Sequence, residues 1–208
     1  MSFDTLSIYL LPIGAILALA LFAFAFWKEH QRRNRAWRTF AARRDWGCTS
    51  SLASWEIGGL YQGRQVRMNA EQRRDGGKAR EYTVVQLELG RALPPDLSIR
   101  PERLGDRLLK RVGRRDEEIG DAELDDALAL QNLSDEARDV LRAPAVRRQL
   151  LVLHQRFARF SIEDERLQLE AHGIPNSVEA LESLVAPALL LSDALHDAVE
   201  KTRARGHA

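Results

Sequence analysis

The densest concentration of groups that could do chemistry is Asp116-Glu117-Glu118-Ile119-Gly120-Asp121-Ala122-Glu123-Leu124-Asp125-Asp126. Carboxylates at alternating positions supply the oxygen ligands that calcium takes. Set against the EF-hand template, Asp121, Glu123 and Asp125 fill the first three ligand positions. The template then fails twice: Asp126 stands where glycine makes the turn, and Asn132 where a bidentate glutamate closes the site. The stretch is therefore expected to be a solvated loop offsetting Arg114 and Arg115. Asp121, Glu123 and Asp125 remain weak metal candidates, and the same carboxylates would be the working groups of a hydrolase.

Other chemistry-bearing residues fall short of a motif. Gly58-Gly59-Leu60-Tyr61-Gln62-Gly63-Arg64 is glycine-rich, but it lacks the Lys-Ser/Thr pair by which a Walker loop holds phosphate and magnesium. Its glycines are expected to allow a bulge and a tight turn. The five histidines, His30, His154, His172, His196 and His207, have no His-Glu-x-x-His spacing, and no paired cysteines accompany them. His196-Asp197 suggests an acid–base pair until helical geometry is considered, because adjacent residues on a helix point apart. Cys48 is the only cysteine, which excludes an intramolecular disulfide, and its Thr-Ser-Ser sequel matches no nucleophile motif. Trp55 and Tyr61 are the side chains that could form an interaction surface. No catalytic residue, cofactor or nucleotide site is expected.

The strongest signal is physical. From Thr5 to Trp27 there is no charged side chain, and the run is almost wholly apolar. At about 1.5 Å per helical residue it can cross a hydrocarbon core of about 30 Å. Tyr9 and Trp27 would sit at the two headgroup levels. Ala23-Phe24-Ala25 imitates a signal-peptidase site, but Met1 to Thr5 holds Asp4 and none of the positive charge that opens a signal peptide. The basic residues lie on the other flank: Lys28, Arg32, Arg33, Arg35, Arg38, Arg43 and Arg44 against Glu29. The positive-inside rule keeps that flank, and everything after it, in the cytoplasm. The expectation is a retained anchor in a bacterial inner membrane, single-pass, with a cytoplasmic C-terminal domain. The excess of 27 arginines over 4 lysines is read as the coding bias of a GC-rich bacterium.

The division that follows is a transmembrane helix over 5–27, a basic juxtamembrane helix over 28–45, a soluble domain over 46–203 and a disordered tail over 204–208. Trp27, Lys28, Arg32, Arg33, Arg35 and Arg38 form the anchor flank, which could also lie on anionic headgroups. Trp46-Gly47 ends that helix, with glycine as the left-handed stop. From Asp45 onward 24 basic residues face 28 acidic ones, so nucleic acid is not an expected partner.

Within the soluble domain, Ser54–Tyr61 and Arg64–Glu71 read as a hairpin about Gln62-Gly63, with Val66, Met68 and Ala70 inward. Arg73–Lys78 reads as a polar loop. Glu81–Leu89 is a strand with Val85, Leu87 and Leu89 on one face and Tyr82 and Val84 on the other. Leu104, Leu108, Leu109 and Val112 predict a helix ended by Gly113, and Ala127–Gln131 a strand. Ser134 caps a helix to Arg142, and Pro144 starts another. Phe157–Ala171 is a hairpin about Asp164-Glu165. Asn176 and Glu179 have capping-box spacing ahead of a long amphipathic helix that Pro187 should kink. Strands and helices in segregated runs favour α+β with an antiparallel sheet packed with helices.

The segments Gly59-Leu60-Tyr61-Gln62-Gly63-Arg64-Gln65-Val66, Tyr82-Thr83-Val84-Val85, Leu93-Pro94-Pro95-Asp96-Leu97 and Ile119-Gly120-Asp121 with Leu124-Asp125 resemble a family of uncharacterised bacterial membrane-anchored proteins. The resemblance covers roughly 46–200, departs at Leu124, where an aromatic residue is expected, and implies architecture without an activity. The functional expectation is a non-catalytic interaction or scaffold domain tethered to the bilayer, with lipid and another protein as partners. A membrane-associated hydrolase using the 116–126 loop and an anionic-lipid-sensing module are the alternatives.

Overall fold

The computed structural model describes residues 3–51, 54–94, 96–101, 118–157 and 159–206, with the side chains of the first helix described from Gly14 onward. That helix, α1 (Phe3–Arg43), is uninterrupted over 41 residues. Its two parts differ in surroundings. From Gly14 to Lys28 every side chain is exposed, including Phe22, Phe24, Phe26 and Trp27. From Glu29 onward one stripe turns inward, and Ala36, Trp37, Phe40 and Ala41 are buried. Among the described residues no helix is long and apolar enough to cross a membrane; the described apolar side chains of α1 span about 20 Å from Gly14 to Trp27.

The C-terminus of α1 is a Schellman turn. The Trp46 amide donates to the Ala41 carbonyl at 2.9 Å and the Asp45 amide to Ala42 at 3.4 Å. The left-handed residue is Asp45, at φ 56°, rather than Gly47, which opens the first strand. Aspartate tolerates this conformation because its short side chain adds little steric conflict. Trp46 meets Phe40 edge-on at 5.9 Å, the apolar contact that accompanies such a turn.

Eight strands form one antiparallel sheet in the order β1-β2-β3-β4-β8-β7-β5-β6. They are β1 (Gly47–Ser50), β2 (Trp55–Tyr61), β3 (Arg64–Asp75), β4 (Lys78–Glu88), β5 (Ser98–Pro101), β6 (Leu128–Gln131), β7 (Arg159–Glu163) and β8 (Arg166–His172). The 73–78 segment is no loop. β3 and β4 pair out to Asp75↔Lys78, and the turn is confined to Gly76-Gly77 at φ 58° and 82°. Polar composition misled there because a two-residue turn lets charged strands continue beyond the core. β1 and β5, four residues each, carry too few alternations to be read from sequence. The hairpins about Gln62-Gly63 and Asp164-Glu165 are as expected, each with positive φ at both turn residues.

The other α-helices among the described residues are α2 (Ala122–Ala127), α3 (Asp135–Leu141), α4 (Pro144–Arg156) and α5 (Val178–Gly206). The expected acidic loop thus contains a short helix, and α5 extends into the segment expected as a tail. α5 runs through Pro187, and Ser177 rather than Asn176 accepts from the Ala180 amide at its start. Asn176 donates instead to Glu29, at 3.0 Å. The helix expected over 104–112 lies outside the described residues.

One sheet face buries Ile57, Val66, Met68, Val85, Leu87, Leu167 and Leu169 against the helices. On α5, Leu181, Val185, Ala188, Leu191 and Leu195 face that core at i, i+3 and i+4 spacing. Trp37 of α1 is fully buried there and its indole N–H donates to the Pro175 carbonyl at 3.0 Å. The expected inward residues Val66, Met68 and Ala70 are on this face. The opposite face bears Arg67, Asn69, Glu71, Gln86, Gln168 and Glu170, and Tyr82 and Val84 are buried among them.

Candidate functional site

The acidic stretch is occupied by structure. Asp121 is the N-cap of α2 and accepts from the Glu123 and Leu124 amides at 3.1 and 3.2 Å. Asp125 accepts from the Ile119 amide at 2.7 Å and the Gly120 amide at 3.0 Å. Arg147 of α4 donates to Asp121 at 2.5 Å and to Glu123. Arg142 closes the turn by donating to the Ile119 carbonyl at 2.7 Å. Gly120, at φ 85°, lies where a Cβ would overlap the Arg142 guanidinium. The Arg147 hydrogen bond, helped by the α2 amides, holds the Asp121 carboxyl below its ordinary range against the opposing effect of burial. Asp121, Glu123 and Asp125 therefore join a loop to two helices. Among the described residues no group of three or more His, Cys, Asp or Glu could hold a metal ion.

Gly59 is required by packing, not by a bulge or turn. A Cβ there would enter the Trp46 ring, whose indole N–H donates to the Leu60 carbonyl at 3.0 Å. Gly63, at φ 79°, is the turn glycine. Trp55 and Tyr61 do not form an exposed patch. Trp55 is 4% exposed, packed 5.2 Å from the His30 ring and 6.3 Å from Trp37, and the Tyr61 hydroxyl donates to Asp193 of α5 at 2.7 Å. Burial first, then the Asp193 carboxylate, pushes the Tyr61 hydroxyl pKa up. Cys48 is half-buried, and burial pushes its thiol up despite nearby Arg38, away from a nucleophilic thiolate. His196 meets the Ser192 carbonyl at 2.8 Å through Nδ1, so its bonding is along α5 and not toward Asp197.

The anchor flank divides in two. Lys28, Arg32 and Arg35, at i, i+4 and i+7, form an exposed stripe on α1 and make no close ion pair among the described residues. Trp27, just above them, is 57% exposed. Arg33 faces the domain and joins Glu29 at 3.3 Å to Glu81 of β4 at 3.1 Å. Arg38 donates to Ser50 at 3.4 Å, and Arg44 pairs with Glu182 of α5. The expected flank is thus half free charge and half tertiary ties.

A cavity of 260 Å³ lies where α1 meets the sheet. α1 contributes Phe26, Glu29, His30 and Arg33 to it; Trp55, Glu71, Gln72, Glu81 and Ile174 line the other side. It forms because β2 starts at Trp55, so β3 runs on beyond Asn69↔Glu56 with no partner on that side among the described residues. Glu29 accepts from Asn176 and Arg33, and these bonds keep its carboxyl below the ordinary range, Asn176 contributing most. Burial disfavours the Glu71 carboxylate, but bonds from Asn69 at 2.7 Å and Arg73 at 2.8 Å outweigh it and its pKa is lowered. The Trp55 indole N–H is buried and has no acceptor. Arg73 also bonds Glu170 on the opposite sheet face at 3.0 Å, and the second oxygen of Glu170 is buried without a donor. Sequence reasoning missed this cavity because its walls come from a helix, separate strands and Ile174, which only the tertiary fold brings together.

Family models, curated proteins and solved structures yield no match to this chain.

Proposed function

We propose that the chain is a membrane-anchored interaction module, with α1 as a single span and the α+β domain on the cytoplasmic side. The observation that carries this reading is the two-part environment of one continuous helix. Its apolar stretch projects without packing partners from Gly14 to Trp27, and its continuation from Glu29 docks into the core through Trp37 and Phe40. Exposed aromatic and aliphatic side chains all round a helix are unfavourable in water and favourable in lipid, where the helix also satisfies its own backbone. The uncharged run back to Thr5 gives the length, and Lys28, Arg32 and Arg35 give the orientation.

An interaction role is favoured over hydrolysis because Asp121, Glu123 and Asp125 are engaged in capping and in pairing with Arg147. The polar face of the sheet around Arg67, Gln86 and Gln168 is the surface on which a protein partner would act. Two reporters fused after Ala208 test the topology. A cytoplasm-dependent reporter should be active and a periplasm-dependent one silent, with the protein retained in membranes after alkaline extraction. The reverse pair, or release by alkali, would overturn the reading.

A further inference from the structure

The cavity between α1 and the free edge of β3 sits one turn beyond the apolar part of the helix. Phe26 belongs to both. Along α1, Glu29 and Arg33 lie about 3 and 9 Å past Trp27, which is the depth of one headgroup layer if α1 spans the bilayer. Its walls offer two chemistries at once. Glu29 and Glu81 present carboxylates beside the Trp55 and Phe26 rings, which suits an ammonium through charge and through the aromatic faces. Arg33 suits an oxygen-rich group. At 260 Å³ the space is below that of a drug-sized pocket. The free stripe of Lys28 and Arg32 lies on the same turns of α1 and can meet a neighbouring phosphate.

We infer that this cavity binds the zwitterionic headgroup of a phospholipid bearing a primary ammonium, such as phosphatidylethanolamine, from the leaflet that α1 leaves. The ammonium sits between Glu29 and Glu81, and the phosphate faces Arg33 and the basic stripe. This rests on the membrane-anchor reading. It adds to that reading a lipid that fixes the domain against the bilayer by a second contact beside the helix.

The test uses the full-length protein in nanodiscs of phosphatidylcholine doped with phosphatidylethanolamine or with phosphatidylglycerol, read by native mass spectrometry after release. Retention of one phosphatidylethanolamine, about tenfold above either other lipid, is the expected result, the size of one charge-assisted hydrogen bond. Gln72→Trp should fill the cavity without removing a charge and abolish the preference, and Glu81→Gln should weaken it. Equal retention of phosphatidylethanolamine and phosphatidylcholine would overturn the proposal, as would preference for phosphatidylglycerol or an unchanged preference in a folded Gln72→Trp protein. Alkaline extraction of the same protein from membranes separates the two failures. An integral protein without headgroup preference loses only the lipid site, whereas a protein released by alkali loses the anchor as well.

Discussion

The foot of α1 and the turn before α2 are built from the same groups, carboxylates and guanidinium groups, and end in opposite states. At the turn, Asp121 and Asp125 accept from four backbone amides and Arg147 and Arg142 come in from neighbouring helices. At the foot, Glu29 and Glu81 share Arg33 across an open cavity, and Trp55 keeps an unused donor. A cluster that ties backbone to side chain is structural, because each bond replaces one the chain could not otherwise make. A cluster that ties side chain to side chain around a void leaves capacity for a ligand. Residue type does not separate the two cases; the partners do.

Substitutions can break that contrast, and the largest effect belongs to the wall behind the foot. Trp37→Ala removes a fully buried ring and its bond to Pro175. It should cost about 3–5 kcal/mol in thermal or denaturant unfolding of the detergent-solubilised protein. A loss under about 1 kcal/mol would mean that the docked half of α1 does not stabilise the domain.

Asp125→Ala leaves the Ile119 and Gly120 amides without their acceptor and should cost about 2 kcal/mol. Glu81→Gln, at a half-exposed ion pair, should cost less than about 1 kcal/mol. Equal losses in unfolding would show that the foot is held by its charges as firmly as the turn, and would remove the distinction.

The smallest effect is a pH dependence. Asp121 has its pKa held below 3.8 by Arg147 and the α2 amides, and Glu29 below 4.5 by Asn176 and Arg33. In each case the folded value is the lower one, so the stabilisation is present above the unfolded pKa and fades as pH falls through the folded value. The stability gap between the protein and Asp121→Asn should therefore narrow as pH drops below 3.8, and that for Glu29→Gln should begin to narrow nearer 4.5. Acid unfolding followed by circular dichroism measures both. A gap that widened on acidification would reverse the assigned partners.

The sequence by itself determined what depends on neighbours along the chain. The uncharged run to Trp27 and the basic residues after it give an anchor expectation from transfer energy and charge alone. Alternation in Arg64–Glu71 and Glu81–Leu89 identifies the core face, because strand side chains alternate whatever they pack against. Ser134 and Pro144 mark helix starts through local hydrogen bonding and a fixed φ. Tertiary structure alone decided the rest. It drew Asn176 away from capping and toward Glu29, put Trp46 over Gly59, and buried Trp55 beside His30 and Trp37. It also brought Arg147 onto Asp121, turning a suspected ligand set into a cap, and set Glu81 beside Arg33 to leave a cavity between. Those pairings reach up to 147 residues along the chain, and no local pattern encodes them, because they arise only when the sheet and helices close on one another.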